Sequence, residues 1–361
     1  MRNCFVCETP YQVFNCLNIV LSQPDQYDCC NDIYIGNMFS SYNKLAASLA
    51  TKRIFDHVFA YNYQNAKKNP IIRLQLMLSP LRYVKHLVED TIGEIYCYDN
   101  VFVSTLSNMA IAMVLGSPNA KVCFYDDGAG SYVSDVGMNL ITPLKVKMMK
   151  LFRINIKRFE PKVMYLNNPD MFIQGWNVEK RKLSRPDIND KHYLEILCDV
   201  FGAIPDCYNN RSIILLTQPI VSKDPELRKT QESLVDNLLS CLYSDFITVR
   251  VHPSDKSDAY VNHGFNVDDS QVLWEYICST KIDDESVLIG SSSTALFSPK
   301  LLYNKEPTLL IVSGLLQLIS NSDVVDQMLI ALKERYTDPG KIIFIEDYDQ
   351  LKNILDSFLH R

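Results

Sequence analysis

Short apolar runs alternate along the chain with stretches in which apolar side chains recur every three to four residues. Runs of the first kind suit strands covered on both faces, and the second spacing suits amphipathic helices. Their alternation predicts parallel α/β units. Strands are expected at Asn3–Cys7, Asp32–Gly36, His57–Tyr61, Asn100–Ser104 and Lys121–Tyr125, with helices near Pro10–Leu21, Ser41–Ala50, Ile71–Val88 and Ser107–Leu115. From about Leu166 to Asn210 the chain turns polar, which reads as a linker. A second series follows, with strands at Arg211–Thr217, Ile247–Val251, Ser286–Gly290, Thr308–Val312 and Lys341–Ile345. Its helices are expected at Asp224–Leu242, Gln271–Cys278, Thr294–Leu302, Val324–Arg335 and Tyr348–Leu359. The pattern predicts two Rossmann-like domains, 1–165 and 211–361, joined by a linker over 166–210 and facing a cleft. Ligands of such sheets bind beyond the carboxyl ends of the strands, so residues just after strands are the ones to weigh.

Composition narrows the function. The 361 residues exceed what one core usually spans, and 22% charged with 47% hydrophobic residues is ordinary for a folded protein. A formal charge of −6 argues against a nucleic-acid partner. Only 12 glycines leave little room for a Gly-rich phosphate loop. Among the eleven cysteines, Cys4, Cys7, Cys97, Cys123 and Cys278 sit in apolar runs, where Cys behaves as a small hydrophobe. No Cys/His spacing suits zinc, and neither a secretory signal nor a membrane-spanning run is visible. A cytoplasmic protein with reduced cysteines is the expectation.

Three strand ends carry candidate chemistry. Asp126-Asp127-Gly128 follows Lys121–Tyr125. One carboxylate there suits a base that takes a proton from a substrate hydroxyl, raised by its neighbour's charge. The same residues also suit a plain turn. His252-Pro253 follows Ile247–Val251, with Arg250 just before it; a His at this place suits a leaving phosphate, or a surface turn, and Arg250 suits neutralising a phosphate or pairing with an acid. The run Ser291-Ser292-Ser293-Thr294 opens a predicted helix, where hydroxyls beside free amides suit an anion, although a simple N-cap needs only one of them. Thr9-Pro10-Tyr11-Gln12 and Thr217-Gln218 end the first strand of each series, and Glu275 opens an apolar helix.

Together these residues resemble the bacterial sialyltransferases of GT-B fold, in particular the lipooligosaccharide sialyltransferase family (glycosyltransferase family fifty-two) and related capsule polysialyltransferases. Those families carry an acidic-acidic-Gly motif, a His-Pro motif and a Ser/Thr pair in this order. The resemblance runs from Thr9 to about Phe297. It implies an inverting, metal-independent transferase that uses CMP-sialic acid as donor and needs no cofactor. By position, Asp127 matches the general base, Asp126 a supporting carboxylate and His252 the acid or donor on the departing phosphate. Ser293 and Thr294 match the phosphate hydroxyls, with Ser292 in play if the register shifts by one. Glu275 matches a cytidine reader. Arg250, Pro253, Thr217 and Gln218 fall among the donor contacts, and Thr9 and Gln12 fall on the acceptor side. The implied acceptor is a hydroxyl of a bacterial surface glycan, lipooligosaccharide or capsule.

The mild acidity hides a basic stripe. Leu144–Arg158 holds Lys145, Lys147, Lys150, Arg153, Lys157 and Arg158 with no acidic residue. It suits a peripheral contact with the inner face of the cell membrane, a grip on an anionic glycan, or a solvated helix face. Two rivals remain open at this point: a GT-B transferase for another nucleotide sugar, and a silent nucleotide-sugar-binding protein.

Overall fold

The structure is a computed structural model of the 361-residue chain. It describes residues 1–22, 29–64, 70–88, 96–133, 143–173, 177–208, 213–219, 224–255, 258–291, 293–316 and 323–360. The chain divides into two compact units, Met1–Phe201 and Gly202–Arg361.

The first unit is built on a parallel sheet of seven strands: β1 (Arg2–Cys7), β2 (Cys30–Gly36), β3 (His57–Tyr61), β4 (Asn100–Val103), β5 (Lys121–Tyr125), β6 (Val163–Leu166) and β7 (Glu179–Lys182). Their spatial order is β3-β2-β1-β4-β5-β6-β7. The direction of winding therefore reverses between β1 and β4, which is the topological switch of a Rossmann-like sheet. The apolar run of β1 is the centre of the core: Cys4, Phe5 and Cys7 are fully buried, and Phe5 stacks on Phe102 of β4 at 4.5 Å. Each such buried aromatic or aliphatic side chain contributes about 1.5–3 kcal/mol.

The second unit repeats the plan with β8 (Ile213–Leu216), β9 (Ile247–Arg250), β10 (Asn266–Asp268), β11 (Val287–Gly290), β12 (Thr308–Ile311) and β13 (Ile342–Phe344). The order is β10-β9-β8-β11-β12-β13, all parallel, with the switch between β8 and β11. Both units thus have the expected doubly wound architecture.

Local chemistry explains where elements begin and end, and where the sequence reading needs correction. Thr9 caps the helix Pro10–Leu21 by accepting from the Gln12 amide at 3.2 Å, and Pro10 starts it, where a missing N–H costs nothing. The single helix expected over Ile71–Val88 is two, Pro70–Leu78 and Pro80–Leu87, because Pro80 cannot donate into the preceding turn.

The largest correction concerns the linker expected over 166–210. Its first half supplies β7 and part of β6, and its second supplies the helix Lys191–Phe201. That helix buries Tyr193, Ile196, Leu197, Val200 and Phe201 in the first unit, with Phe201 edge-on to Phe14 at 6.2 Å. Tyr193 also donates to Asn18 at 2.5 Å. The amphipathic face of this helix, hidden among polar neighbours, moves the boundary to Gly202, whose φ of +96° suits glycine.

Candidate functional site

In the first unit the site is the carboxyl end of β1, β5 and β6. Asp126 follows β5 and is completely buried. It accepts five hydrogen bonds: Oδ1 from Tyr11 Oη at 3.1 Å and the Gly128 amide at 2.8 Å, and Oδ2 from Tyr132 Oη, the Asn167 amide and Asn167 Nδ2. Both oxygens are committed. Its backbone carbonyl also takes Asn15 Nδ2 at 2.9 Å. Gly128 turns the chain with a φ of +89°, a conformation an L side chain rarely adopts.

Asp127 is the contrast. It is partly exposed, its amide donates to Ser131 Oγ at 2.9 Å, and its Oδ1 accepts from Gln12 Nε2 at 2.8 Å. Among the described residues, Oδ2 has no hydrogen-bond partner. Burial pushes the carboxyl up to about 7; the Gln12 hydrogen bond opposes the rise, and the charges of Asp126 and Glu8 add to it. Such a carboxyl is half ionised near neutrality, which is where a general base is most effective.

Gln12 is 2% exposed and reaches both ways: its Oε1 accepts from the Glu8 amide at 2.6 Å. Glu8, directly after β1, takes Tyr61 Oη at 3.2 Å and Tyr63 Oη at 2.5 Å. Thr9, expected on the acceptor side, is exposed and serves as the helix cap.

In the second unit the predicted donor residues lie at the carboxyl ends of β8, β9 and β11, two of which flank the switch. Thr217 is buried after β8, and its Oγ1 accepts from the His252 amide at 2.9 Å, tying the first two ends together. Thr217, Gln218, Gly290 and Ser291 line a mainly apolar cavity of about 80 Å³. His252 is partly exposed and Nδ1 accepts from the Ser254 amide at 3.1 Å. Burial lowers its pKa, and Asp255 opposes the shift. The imidazole is therefore mainly neutral at pH 7 and presents Nε2–H as a donor. Pro253 is exposed beside it.

Ser293 is buried and caps the 3-10 helix Thr294–Phe297, accepting from the Ala295 amide at 3.3 Å, while Thr294 is exposed at its start. Ser292 lies outside the described residues. Glu275 begins the helix Trp274–Lys281 and accepts from Ser298 Oγ at 3.1 Å, and Trp274 Nε1 donates to Ala295 O at 2.9 Å. These two contacts hold Glu275 close to the Ser/Thr run.

Arg250 does not belong with them. Its guanidinium is only 11% exposed and pairs with Asp268 Oδ2 at 2.6 Å, while also donating to Ser270 O at 3.1 Å and Val272 O at 2.5 Å. It staples β9 to β10 and to the chain beyond, the acid-paired role rather than a free phosphate contact. Asp268 is held below the usual carboxylate range by Arg250, Ser270 and Tyr208, which together outweigh burial.

Two placements lie away from these ends. Cys30, Asp32 and His57 converge at the start of β2 and β3, a grouping that linear spacing had not suggested, with ligand atoms within 4.8 Å. The Arg2 guanidinium already stands 3.4 Å from Cys30 Sγ and 3.9 Å from Asp32. In the basic stripe, Lys147, Lys150, Arg153 and Lys157 are exposed beside an equally exposed Leu151. Met149 is buried and Arg158 donates to Val114 O at 2.8 Å. The side chains of Leu144, Lys145 and Met148 lie outside the described set. Among the described residues no helix is long and apolar enough to cross a membrane.

Sequence reasoning missed Glu8, Tyr61, Tyr63, Tyr132 and Asn167, and gave Tyr11 no role of its own within Thr9-Pro10-Tyr11-Gln12. Glu8 and Asn167 follow strands directly, so the same rule that selected Asp126 reaches them once β6 is recognised. Nothing in the sequence marks Tyr132.

No protein-family model matches the chain, and no curated protein matches it either. Solved structures do share its fold. An α/β-galactoside α-2,3-sialyltransferase from Photobacterium phosphoreum superposes with a TM-score of 0.50 at 11% identity, over 95% of this chain and 98% of that one. A protein assigned as a UDP-N-acetylglucosamine 2-epimerase from Listeria monocytogenes gives a TM-score of 0.52 at 9% identity, over 100% and 88%. A spinosyn rhamnosyltransferase gives 0.50 at 11%, over 100% and 92%. The chain therefore has the GT-B fold, two Rossmann-like units each wound on a parallel sheet.

Proposed function

We propose that the chain is an inverting glycosyltransferase that moves sialic acid from CMP-sialic acid to a hydroxyl of a bacterial surface glycan. The observation that carries this reading is Asp127: a carboxyl held near neutrality, at a strand end, with one oxygen anchored and the other without a partner among the described residues. A fold shared by transferases and an epimerase does not separate those activities. A poised base beside a turn suits the deprotonation of an acceptor hydroxyl; an epimerase also uses a base, and acceptor-dependent CMP release separates the two.

In this reading the ionised Asp127 takes the proton of the acceptor hydroxyl as its oxygen attacks the anomeric carbon. The bond from that carbon to the CMP phosphate breaks, and CMP leaves with the electron pair. His252 Nε2–H and the hydroxyls near Thr294 stabilise the charge on the leaving phosphate, and Glu275 addresses the nucleoside. With Arg250 committed to Asp268, the described residues at this end offer mainly neutral donors. A single phosphate matches such a set better than a diphosphate, which builds up more charge. No metal or cofactor enters the scheme.

The test is CMP release from CMP-sialic acid, with and without galactose-terminated acceptors, alongside competition by UDP- and GDP-sugars. Acceptor-dependent CMP release that fails in Asp127→Ala supports the reading. Preference for a UDP- or GDP-sugar overturns the donor assignment. Tight CMP binding with no turnover on any acceptor overturns the enzymatic one.

A further inference from the structure

We propose that Gln12 is a positioning residue for Asp127: a clamp running from the Glu8 backbone through Gln12 fixes Oδ1 and leaves Oδ2 as the proton-accepting atom. The chemical consequence rests on the function proposed above, but the clamp itself does not.

A glutamine amide is ordinarily ambiguous, because either end can face a polar neighbour. Here the backbone decides. The Glu8 N–H, 2.6 Å away, can only donate, so the atom facing it is Oε1. Nε2 then faces Asp127 Oδ1 at 2.8 Å. Turning the amide over would set N–H against N–H and oxygen against carboxylate, two repulsions in a side chain only 2% exposed.

The chain ensures that both partners arrive. Glu8 is the first residue beyond β1 and Gln12 lies in the first turn of the following helix, four residues on, where Thr9 caps that turn. Asp127 is the second residue beyond β5, its amide tied to Ser131 Oγ. The clamp thus bridges two strand ends, and its buried length leaves little freedom to the carboxylate plane.

Among the described residues, three groups act on Asp127. Glu8 and Asp126 raise its pKa by charge, and Gln12 lowers it by donating to the ionised form. Glu8 is held in turn by Tyr61 and Tyr63, and Asp126 by Tyr11 and Tyr132. Arg185 reaches the same cluster through Asn167 at 3.0 Å. Gln12 is the only one of these that donates to Asp127 directly.

The experiment uses the full chain with Gln12→Met, which removes both hydrogen bonds at similar length, and Gln12→Glu, which keeps an acceptor for Glu8 and replaces the donor with an oxygen. The Asp127 carboxyl is followed by carbon NMR on the free protein, assigned by its loss in Asp127→Asn. In both variants its titration midpoint should move upward by about one pH unit, because a donor to the ionised form is gone. The acid limb of kcat/KM should move with it and kcat should fall by about tenfold with KM little changed. A residue that only stabilised the fold would lower the folded fraction without moving either midpoint. An unmoved Asp127 midpoint in whichever variant folds overturns the clamp, even in an active enzyme. A shifted midpoint in a chain that transfers no sugar supports the clamp and overturns the proposed function alone.

Discussion

The carboxyl ends of the two sheets are built from the same topology and opposite chemistry. Beyond the first sheet stand Glu8, Asp126 and Asp127, three carboxylates packed with tyrosines and amides. Beyond the second stand Thr217, His252 and the Ser/Thr run, hydroxyls and a mainly neutral imidazole, while the nearby cation Arg250 is neutralised by Asp268. A fold that places strand ends at a ligand does not dictate what they do. The first set concentrates negative charge under partial burial, the condition that raises a carboxyl into the range of a base. Among the described residues the second offers donors with little net charge, the condition for holding an anion without a large desolvation cost.

Within the first set, the sharpest contrast is between sequence neighbours. Asp127→Asn removes the base while keeping shape, and turnover is expected to fall about 1000-fold or more. Stability should move the other way. Its folded pKa, about 7, lies above the ordinary 3.8, so between those values the folded state holds a proton that the unfolded chain has released. Stability of the natural chain therefore declines as pH rises through that window. Above pH 7, Asp127→Asn should be more stable by about 1 kcal/mol or more, and near pH 4 the two should coincide. Urea unfolding at the two pH values checks both signs; equal stability at both pH values would remove the perturbed carboxyl.

Asp126→Asn is expected to do the reverse. Its two oxygens receive five donors, and an asparagine turns its own N–H₂ toward some of them. The loss should be about 3 kcal/mol of stability, visible in the same denaturation series. If Asp126→Asn instead folds normally and is merely slow, the division of labour between the two residues is wrong.

How far the sequence foretold this contrast depends on the range of the interaction. The alternation of apolar runs and helical periods located both sheets, because each pattern is local and repeats. It also drew attention to Asp126, Asp127, His252 and the Ser/Thr run, since residues after strands are local to the strand. The pattern alone did not distinguish Asp126 from Asp127, although the family resemblance placed the base at Asp127. The two differ through distant partners, among them Gln12, 115 residues away from Asp127, and Tyr11 and Asn167, 115 and 41 residues away from Asp126. For Arg250 the sequence left a phosphate contact and an acid pair both open, and could not name the acid: Asp268 lies in β10, a strand of three residues with no readable period. The charged β7, Glu-Lys-Arg-Lys, carries no apolar signal, as befits an edge strand.

The second set should respond more gently than the first. His252→Ala removes one hydrogen bond to a charged oxygen, which is worth about 2 kcal/mol, so kcat is expected to fall about 30-fold. His252→Gln, which can return an N–H, should recover part of this. Because burial lowers the His252 pKa, its neutral form persists as pH rises, and the loss should be similar at pH 7 and pH 8. A loss confined to acid pH would mean that the imidazolium, not the neutral ring, acts on the phosphate.

The smallest effects separate two adjacent hydroxyls. Ser293 is buried and its Oγ accepts from the Ala295 amide, so it acts as a helix cap. Ser293→Ala should cost about 1 kcal/mol of stability, the usual value of a lost cap, with CMP affinity nearly unchanged. Thr294 is exposed and caps nothing in the described structure. Thr294→Ala should leave stability within about 0.5 kcal/mol and weaken CMP binding about five- to tenfold, the worth of one hydrogen bond. Calorimetric binding of CMP and thermal unfolding, measured on both variants, give a two-by-two pattern. If Ser293→Ala weakens CMP and Thr294→Ala does not, the cap is also the phosphate ligand. The register of the hydroxyl pair then shifts toward the amino end of the run.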